Sequence, residues 1–326
     1  MAGREPSRLA EAFRKESNDM SYTKRAFTAP SSDGIHTLSG VIYLPDSNPL
    51  GYFHIVHGMT EHIGRYHRFM ADMAEAGYIC FGYDNLGHGS TATCDEELGY
   101  IASSKGYELL ARDVKIFSDA VKKEYGEALP YFLLGHSMGS FIVRAAAGEA
   151  HPDKLIIMGT AGKNPAAGAG LLLISCIKLL CGDRHFSPLI DGIAFGGYNK
   201  RFGGGSEDDP KPWLTCDEDI RKKYYADKFC TFNFSVSAMG DLIRLIKISN
   251  SRTWYKAFSK DVPVLLVSGA DDPVGNYGKG VREVADGLKS QGIDTACIIY
   301  EGARHEILND FTYDKVKEDI LGFLRK

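Results

Sequence analysis

The chain has 326 residues, 44% hydrophobic and 25% charged, with 38 lysines and arginines against 42 acids for a net charge of −4. That balance excludes a largely disordered or collagen-like chain, and at about 150 residues per typical domain the length allows two domains or one large domain with an insertion. Slight acidity, with no basic run interleaved with aromatics, excludes the electrostatic footprint of a nucleic-acid binder.

In chain order, Met1 to Met20 carries Arg4, Arg8, Glu11, Arg14, Lys15, Glu16 and Asp19 without an apolar run. Residues 1–23 are therefore expected to form an N-terminal arm, not a secretory signal. Lys24 to Ala29 and Thr37 to Leu44 flank Ser31-Ser32-Asp33-Gly34, the pattern of an antiparallel hairpin at a sheet edge. Six later runs rich in β-branched and aromatic residues read as buried strands: Phe53 to Val56, Tyr78 to Tyr83, Tyr131 to Leu134, Leu155 to Met158, Val264 to Ser268 and Ala296 to Tyr300. Between them, Tyr66 to Ala76, Tyr107 to Tyr125, Ser137 to Ala150, Gly280 to Ser290 and Leu308 to Leu324 place apolar residues at three- and four-residue steps, as helices do. The alternation predicts an α/β fold, a mostly parallel sheet with helices on both faces and ligands beyond the carboxyl ends of the strands.

The alternation breaks over 159–260. A structureless loop of that length is implausible, so this span is expected to be an inserted helical cap on a core made of 24–158 and 261–326. Leu171 to Leu180 and Ala238 to Ile248 are its expected helices, with Gly203 to Pro212 a polar loop. The first of these, the most apolar run in the chain, is about half a membrane span and contains Lys178, so membrane contact is expected to be transient at most. Seven scattered cysteines, an odd count with no Cys-x-x-Cys pair, point to a reducing compartment and a cytoplasmic protein.

Gly135-His136-Ser137-Met138-Gly139 matches Gly-x-Ser-x-Gly. The motif alone is weak, but here a buried-strand run ends at Gly135 and a helical run follows, which puts Ser137 on a strand-to-helix turn that lifts its hydroxyl out at the helix N-terminus. A serine hydroxyl needs a histidine base, and the histidine an acid to fix its tautomer. With such an elbow the order is serine, acid, histidine; of ten histidines only His305 follows the last strand runs. The acid is expected after Val264 to Ser268, where Asp271 and Asp272 both stand; Pro273 favours Asp272 by holding it extended. The oxyanion is expected to meet the backbone N–H groups of Met138 and of Met59, in the loop His57-Gly58-Met59-Thr60-Glu61-His62. His57 and His62 lack His-Glu-x-x-His spacing, and neither a metal nor another cofactor is expected. Asp84-Asn85-Leu86-Gly87-His88-Gly89-Ser90 reads as a structural loop beside the site.

Together, His57-Gly58-x-x-Glu61-His62-x-x-Arg65-Tyr66, Asp84-x-x-Gly87-His88-Gly89-x-Ser90, Gly135 to Gly139, Gly269-x-x-Asp272 and Arg304-His305-Glu306 resemble the monoacylglycerol lipase and lysophospholipase branch of the α/β-hydrolases. The resemblance runs from about residue 24 to the end and is weakest in the cap. It implies a serine hydrolase cleaving carboxylic esters of single-chain lipids, with Glu61 and Arg65 near the head-group end of the pocket. Met59-Thr60 stands where the branch often has the smaller Ala-Gly. The cap run, including Leu172 and Leu173, is expected to hold the acyl tail of a small lipid-derived ester. Ser137 excludes the Asp-nucleophile chemistry of dehalogenases and epoxide hydrolases, and the elbow differs from the Gly-Gly-Ser-Trp-Gly usual in proline-type aminopeptidases. An acyltransferase or thioesterase on the same triad, or a non-catalytic ligand-binding protein of this fold, stays open.

Overall fold

The computed structural model describes residues 21–326, so nearly all of the expected arm lies outside the described residues. Strands β1 (Tyr22–Pro30) and β2 (Thr37–Pro45) pair antiparallel. Their turn is closed by Asp33, whose Oδ1 accepts the amide hydrogens of Ile35 and His36 at 2.8 and 2.9 Å. Then come β3 (Gly51–Val56), β4 (Tyr78–Tyr83), β5 (Tyr131–His136), β6 (Lys154–Met158), β7 (Val264–Gly269) and β8 (Thr295–Tyr300). The eight strands form one sheet in the order β1-β2-β4-β3-β5-β6-β7-β8, parallel from β4 to β8 and antiparallel at β2. Every residue of β3, β4, β5 and β7 is buried, which is why their sequences read as continuous apolar runs and not as alternation.

Helices α1 (His67–Glu75), α2 (Gly106–Tyr125) and α3 (Met138–Ala150) connect the early strands. Between β6 and β7 the chain leaves the sheet for α4 (Ala167–Cys181), α5 (Pro188–Phe195), α6 (Glu218–Ala226), α7 (Val236–Ser249) and α8 (Arg252–Ala257); α9 (Lys279–Lys289) and α10 (Tyr313–Leu324) complete the chain. Successive strand residues feed opposite faces. Tyr52, Phe81, Leu133, Ile157 and Leu266 pack with Val114 and Phe117 of α2, Ile142 of α3 and Val284 of α9. Phe53, Cys80, Leu134, Ile156 and Leu265 pack with Phe69 and Met70 of α1 and Val316 and Ile320 of α10.

The insertion corrects the expectation of two helices. The additional ones, α5, α6 and α8, are too short for a periodic signal, but each has an N-cap: Ser187 Oγ accepts from Ile190 N with Pro188 in the first turn, Asp217 accepts from Asp219 N and Ile220 N, and Ser251 Oγ accepts from Trp254 N. The last helix begins at Tyr313, later than the expected Leu308, because Ile307–Asn309 is a separate 3-10 turn. Among the described residues no helix is long and apolar enough to cross a membrane.

Two buried charged side chains sit where the insertion meets the core. Arg144 on α3 donates to Ser249 O and, at 3.0 Å, to Asn250 Oδ1 at the end of α7, and its guanidinium lies 4.6 Å from the Trp254 ring. Asp241 on α7 faces the first amides of α2, Gly106 and Tyr107; burial raises its carboxyl to about 6 against those amides and the charges of Arg244 and Lys178. Between about pH 4 and 6 the folded state therefore holds a proton that the unfolded chain has released, so Asp241 makes stability fall as pH rises through that window, by roughly 2 kcal/mol. Urea unfolding is expected to show this component in the parent and not in Asp241→Asn; identical pH profiles would contradict it.

Candidate active site

β5 ends and α3 begins at Ser137, whose φ of 54° and ψ of −120° are rare for a residue with a side chain. The turn is held by contacts only glycine permits. A Cβ on Gly135 would meet the backbone of Gly139, and one on Gly139 would meet the carbonyl oxygens of Val56 and His57 at the end of β3. Ser137 N donates to Met158 O at 3.0 Å, tying the turn to β6. The hydroxyl thus stands beyond the carboxyl edge of the sheet, at the first turn of α3.

His305 follows β8. Its Nδ1–H donates to Asp272 Oδ2 at 3.0 Å, and Asp272 is fully buried, accepting also from Ser268 Oγ at 3.2 Å and, on Oδ1, from Val274 N at 2.9 Å. Asp271 uses its amide on Ala303 O and does not reach the ring. The insertion supports this loop: His305 N and Glu306 N donate to Trp213 O and Leu214 O at 3.4 and 2.7 Å. The His305 ring packs against His136 and Trp213, with centroids 4.8 and 5.2 Å away. Ser137 and His305 line one cavity; with Nδ1 on Asp272, Nε2 is the nitrogen left to exchange a proton with a hydroxyl.

The loop after β3 returns to the same cavity. Among the described residues no acceptor takes the amide hydrogens of Met59 or Met138, and both residues line the cavity. Glu61 is buried; its Oε1 accepts from Gly58 N (2.5 Å), Tyr66 OH (2.9 Å) and His136 Nδ1 (3.0 Å), and its Oε2 from Arg65 Nη1 (3.2 Å). Burial would raise the Glu61 carboxyl, but His136 and Arg65 outweigh it and hold the group well below the ordinary range. Arg65, itself outside the lining, forms a bidentate pair with Glu306, which lines the cavity, both bonds 2.6 Å. Asp84 braces this loop from below, accepting from Ile63 N and Ser90 N at 2.8 and 2.7 Å.

The cavity holds about 720 Å³, within the range of small-molecule sites. One side is apolar: Leu173 and Ile174 of α4, Ile193 of α5, and Leu242, Ile243 and Ile246 of α7. Leu172 points elsewhere, 68% exposed and outside the lining. A polar end, with Asp191, Lys211 and Tyr224, was not legible in the sequence. Lys211 Nζ donates to Tyr224 OH at 3.2 Å, and Tyr224 OH is 2.8 Å from Thr60 Oγ1, next to Met59. Lys211 has no pattern around it that marks a site, and the Ser187-Pro188 cap is the overlooked signal that could have put Asp191 on a helix. His62, Asp227 and Cys230 bring one donor atom each within 4.8 Å of one another, a possible metal ligand set. As placed, His62 Nε2 and Asp227 Oδ2 are spent on each other at 2.9 Å, and burial lifts the Cys230 thiol to about 12.

A family model described as serine aminopeptidase, S33 (Hydrolase_4) matches residues 47–312. The chain belongs to this family of α/β-hydrolases. The chain is 26% identical over 308 residues to a monoacylglycerol lipase of Mycolicibacterium smegmatis, covering 89% of this chain and 96% of that protein. A carboxyl esterase from Bacillus coagulans is 30% identical and superposes with a TM-score of 0.86 over 93% of this chain and 98% of its own. A lipase in its open form is 25% identical, with a TM-score of 0.84 over 93% and 98%. These likenesses make the protein a carboxylic ester hydrolase.

Since Asp272 alone of the two aspartates reaches His305, Asp272→Asn is expected to lower ester turnover by roughly 10⁴-fold through loss of the correct tautomer, and Asp271→Asn by less than about threefold. Steady-state kinetics on both variants checks this; the reverse ranking would exchange their roles.

Proposed function

We propose that the protein hydrolyses carboxylic esters of single-chain lipids, of monoacylglycerol type, through an acyl-enzyme on Ser137. In this reading His305 takes the Ser137 proton as the hydroxyl attacks the ester carbonyl and returns it to the leaving alcohol, while Asp272 orients the ring and stabilises the imidazolium. The amides of Met59 and Met138 meet the oxyanion, where preorganised donors contribute most of their effect in the transition state. Water then repeats the sequence and releases the fatty acid.

The observation that carries this reading is the shape of the cavity. Ser137 and His305 lie in the same enclosure as an apolar wall from α4, α5 and α7, so an ester carbonyl at the serine has its acyl chain along that wall. The polar end, with the Lys211 ammonium and the Asp191 carboxylate, suits an alcohol moiety bearing hydroxyls, whereas three acyl chains have no room. Leu172, Leu179 and Leu180 of α4 and Leu189 and Ile193 of α5 are exposed on the insertion, and this apolar surface is where we place a transient contact with a lipid surface. The seven cysteines are all free, the state that a reducing compartment maintains, and the cytoplasm is the location we propose.

The test is a chain-length series of monoacylglycerols and p-nitrophenyl esters. A buried methylene is worth about 0.8 kcal/mol, so kcat/KM is expected to rise up to about fourfold per added carbon until the cavity is full. The gain should flatten in a Leu173→Ser/Ile243→Ser variant. A preference for acetyl esters, or an unchanged profile in the variant, would contradict the placement of the acyl chain.

A further inference from the structure

We propose that the buried Glu61–His136 pair is a positioning element that sets the oxyanion loop and the His305 loop against the nucleophile elbow, in place of the head-group contact that the family resemblance implies for Glu61. The proposal rests on the reading of Ser137 as nucleophile and Met59 as oxyanion donor.

Three loops converge on this pair. Glu61 accepts the amide hydrogen of Gly58, the residue before Met59, at 2.5 Å. His136, the residue before Ser137, presents Nδ1 to Glu61 Oε1 at 3.0 Å and Nε2 to the carbonyl oxygen of His305 at 3.4 Å. The Tyr66 hydroxyl lies 2.8 Å from His136 Nδ1 and 2.9 Å from Glu61 Oε1; with its hydrogen on Glu61, Nδ1–H meets the carboxylate and Nε2–H the carbonyl, and the imidazolium satisfies both contacts at once. Burial opposes that charge, and Glu61 outweighs the burial, so the imidazole is held above its ordinary value. One ion pair thus reaches the residue before the oxyanion donor, the residue before the nucleophile, and the backbone of the base.

Glu61 is among the residues that line the cavity, but its carboxylate is largely committed, with one lone pair of Oε2 unassigned. Gly58 N, Tyr66 OH and His136 Nδ1 fill Oε1, and Arg65 takes Oε2 while it also pairs bidentately with Glu306. A substrate hydroxyl would find at most that one site, on a residue only 3% exposed. The loop also needs holding: Thr60, a β-branched residue between Met59 and Glu61, has a φ of 51°. Such a conformation persists only where the surroundings over-determine it. Here the Glu61–Gly58 bond on one side and the Thr60–Tyr224 contact at 2.8 Å on the other do so. Releasing Glu61 frees the loop to relax and carries the Met59 amide off the oxyanion.

The experiment compares Glu61→Gln, Tyr66→Phe and a Glu61→Gln/His136→Asn double variant with the parent. The readouts are kcat and KM on a long-chain p-nitrophenyl ester, inhibition by a long-chain trifluoromethyl ketone, which adds to the serine and places an oxyanion in the hole, and inhibition by the corresponding alcohol, which does not react. Glu61→Gln is expected to lower kcat by about 10²-fold or more, as removal of one oxyanion donor does, and to weaken the ketone in parallel, with KM and the alcohol within about threefold. Tyr66→Phe, which removes the one hydroxyl that touches both Glu61 and His136 and keeps the charge pair, should show the same pattern at about three- to tenfold, and decides the matter if Glu61→Gln does not fold. The double variant should lose little more than Glu61→Gln, because the pair acts as a unit. A merely structural role would lower the melting temperature without separating ketone from alcohol. A tenfold or larger rise in KM for monoacylglycerol with kcat unchanged would overturn the proposal and return Glu61 to the head group, and unchanged kinetics would overturn it outright. Insensitivity of the parent itself to the ketone would overturn the Ser137 reading, and this proposal with it, before any variant is compared.

Discussion

Everything in the site is measured from the strained backbone of Ser137, which the fold holds by packing glycine against backbone. Gly135 lies on Gly139, and Gly139 on the end of β3, with no room for a Cβ at either. That contact brings α3 down onto the sheet and turns the serine away from it. β3 and β5 are hydrogen-bonded neighbours, so with this contact the start of α3, and the elbow with it, is held against the loop after β3. A φ of 54° at a serine costs of order 1–3 kcal/mol, a small fraction of what the buried strands around it contribute.

Around that point the division of labour follows the topology. The parallel strands end on one edge, so loops from β3, β5, β7 and β8 meet there and bring Met59, Ser137, Asp272 and His305 together from across 247 positions of sequence, counting 59 to 305 inclusive. The insertion after β6 supplies a wall and not the acid–base groups. It also grips the His305 loop through Trp213 and Leu214, so the element that walls the cavity also steadies the ring that Asp272 orients. Among the described residues neither buried Arg144 nor buried Asp241 has a direct ion-pair partner; Arg144 fastens the end of α7 to α3, and Asp241, its Oδ2 unpartnered, faces the start of α2, both at a cost in stability. The Arg144 anchor restricts how α7 can move relative to the elbow, because it ties the end of α7 to α3.

The strands were legible because burial on both faces leaves a continuous apolar run, as at Tyr131 to Leu134, and runs of that kind have few other uses. Ser137 and His305 were legible for a different reason: a motif weak by itself gained meaning from a strand before it, a helix after it, and a single histidine beyond the last strand. Asp271 and Asp272 could be ranked only by Pro273, since which of two adjacent carboxylates faces a loop 33 residues on is a matter of tertiary geometry. The same limit applies to Leu172 and Leu173, neighbours on α4, of which only the second lines the cavity. Lys211 and Asp191 were silent because a lone charge in a polar loop and one on a short helix look like solvated surface until packing buries them. Glu61 was visible as a motif residue, but its four hydrogen bonds depend on His136 and Arg65 arriving from two directions, which spacing does not encode.

The most direct measurement is the mass of the protein caught in mid-turnover. Acid quench during the steady state with a long-chain p-nitrophenyl ester, followed by peptide mapping, should show one acyl adduct, on the peptide containing Ser137 and at that residue. An adduct at another side chain, or turnover with no covalent adduct above background while the ester is in excess, would contradict the account.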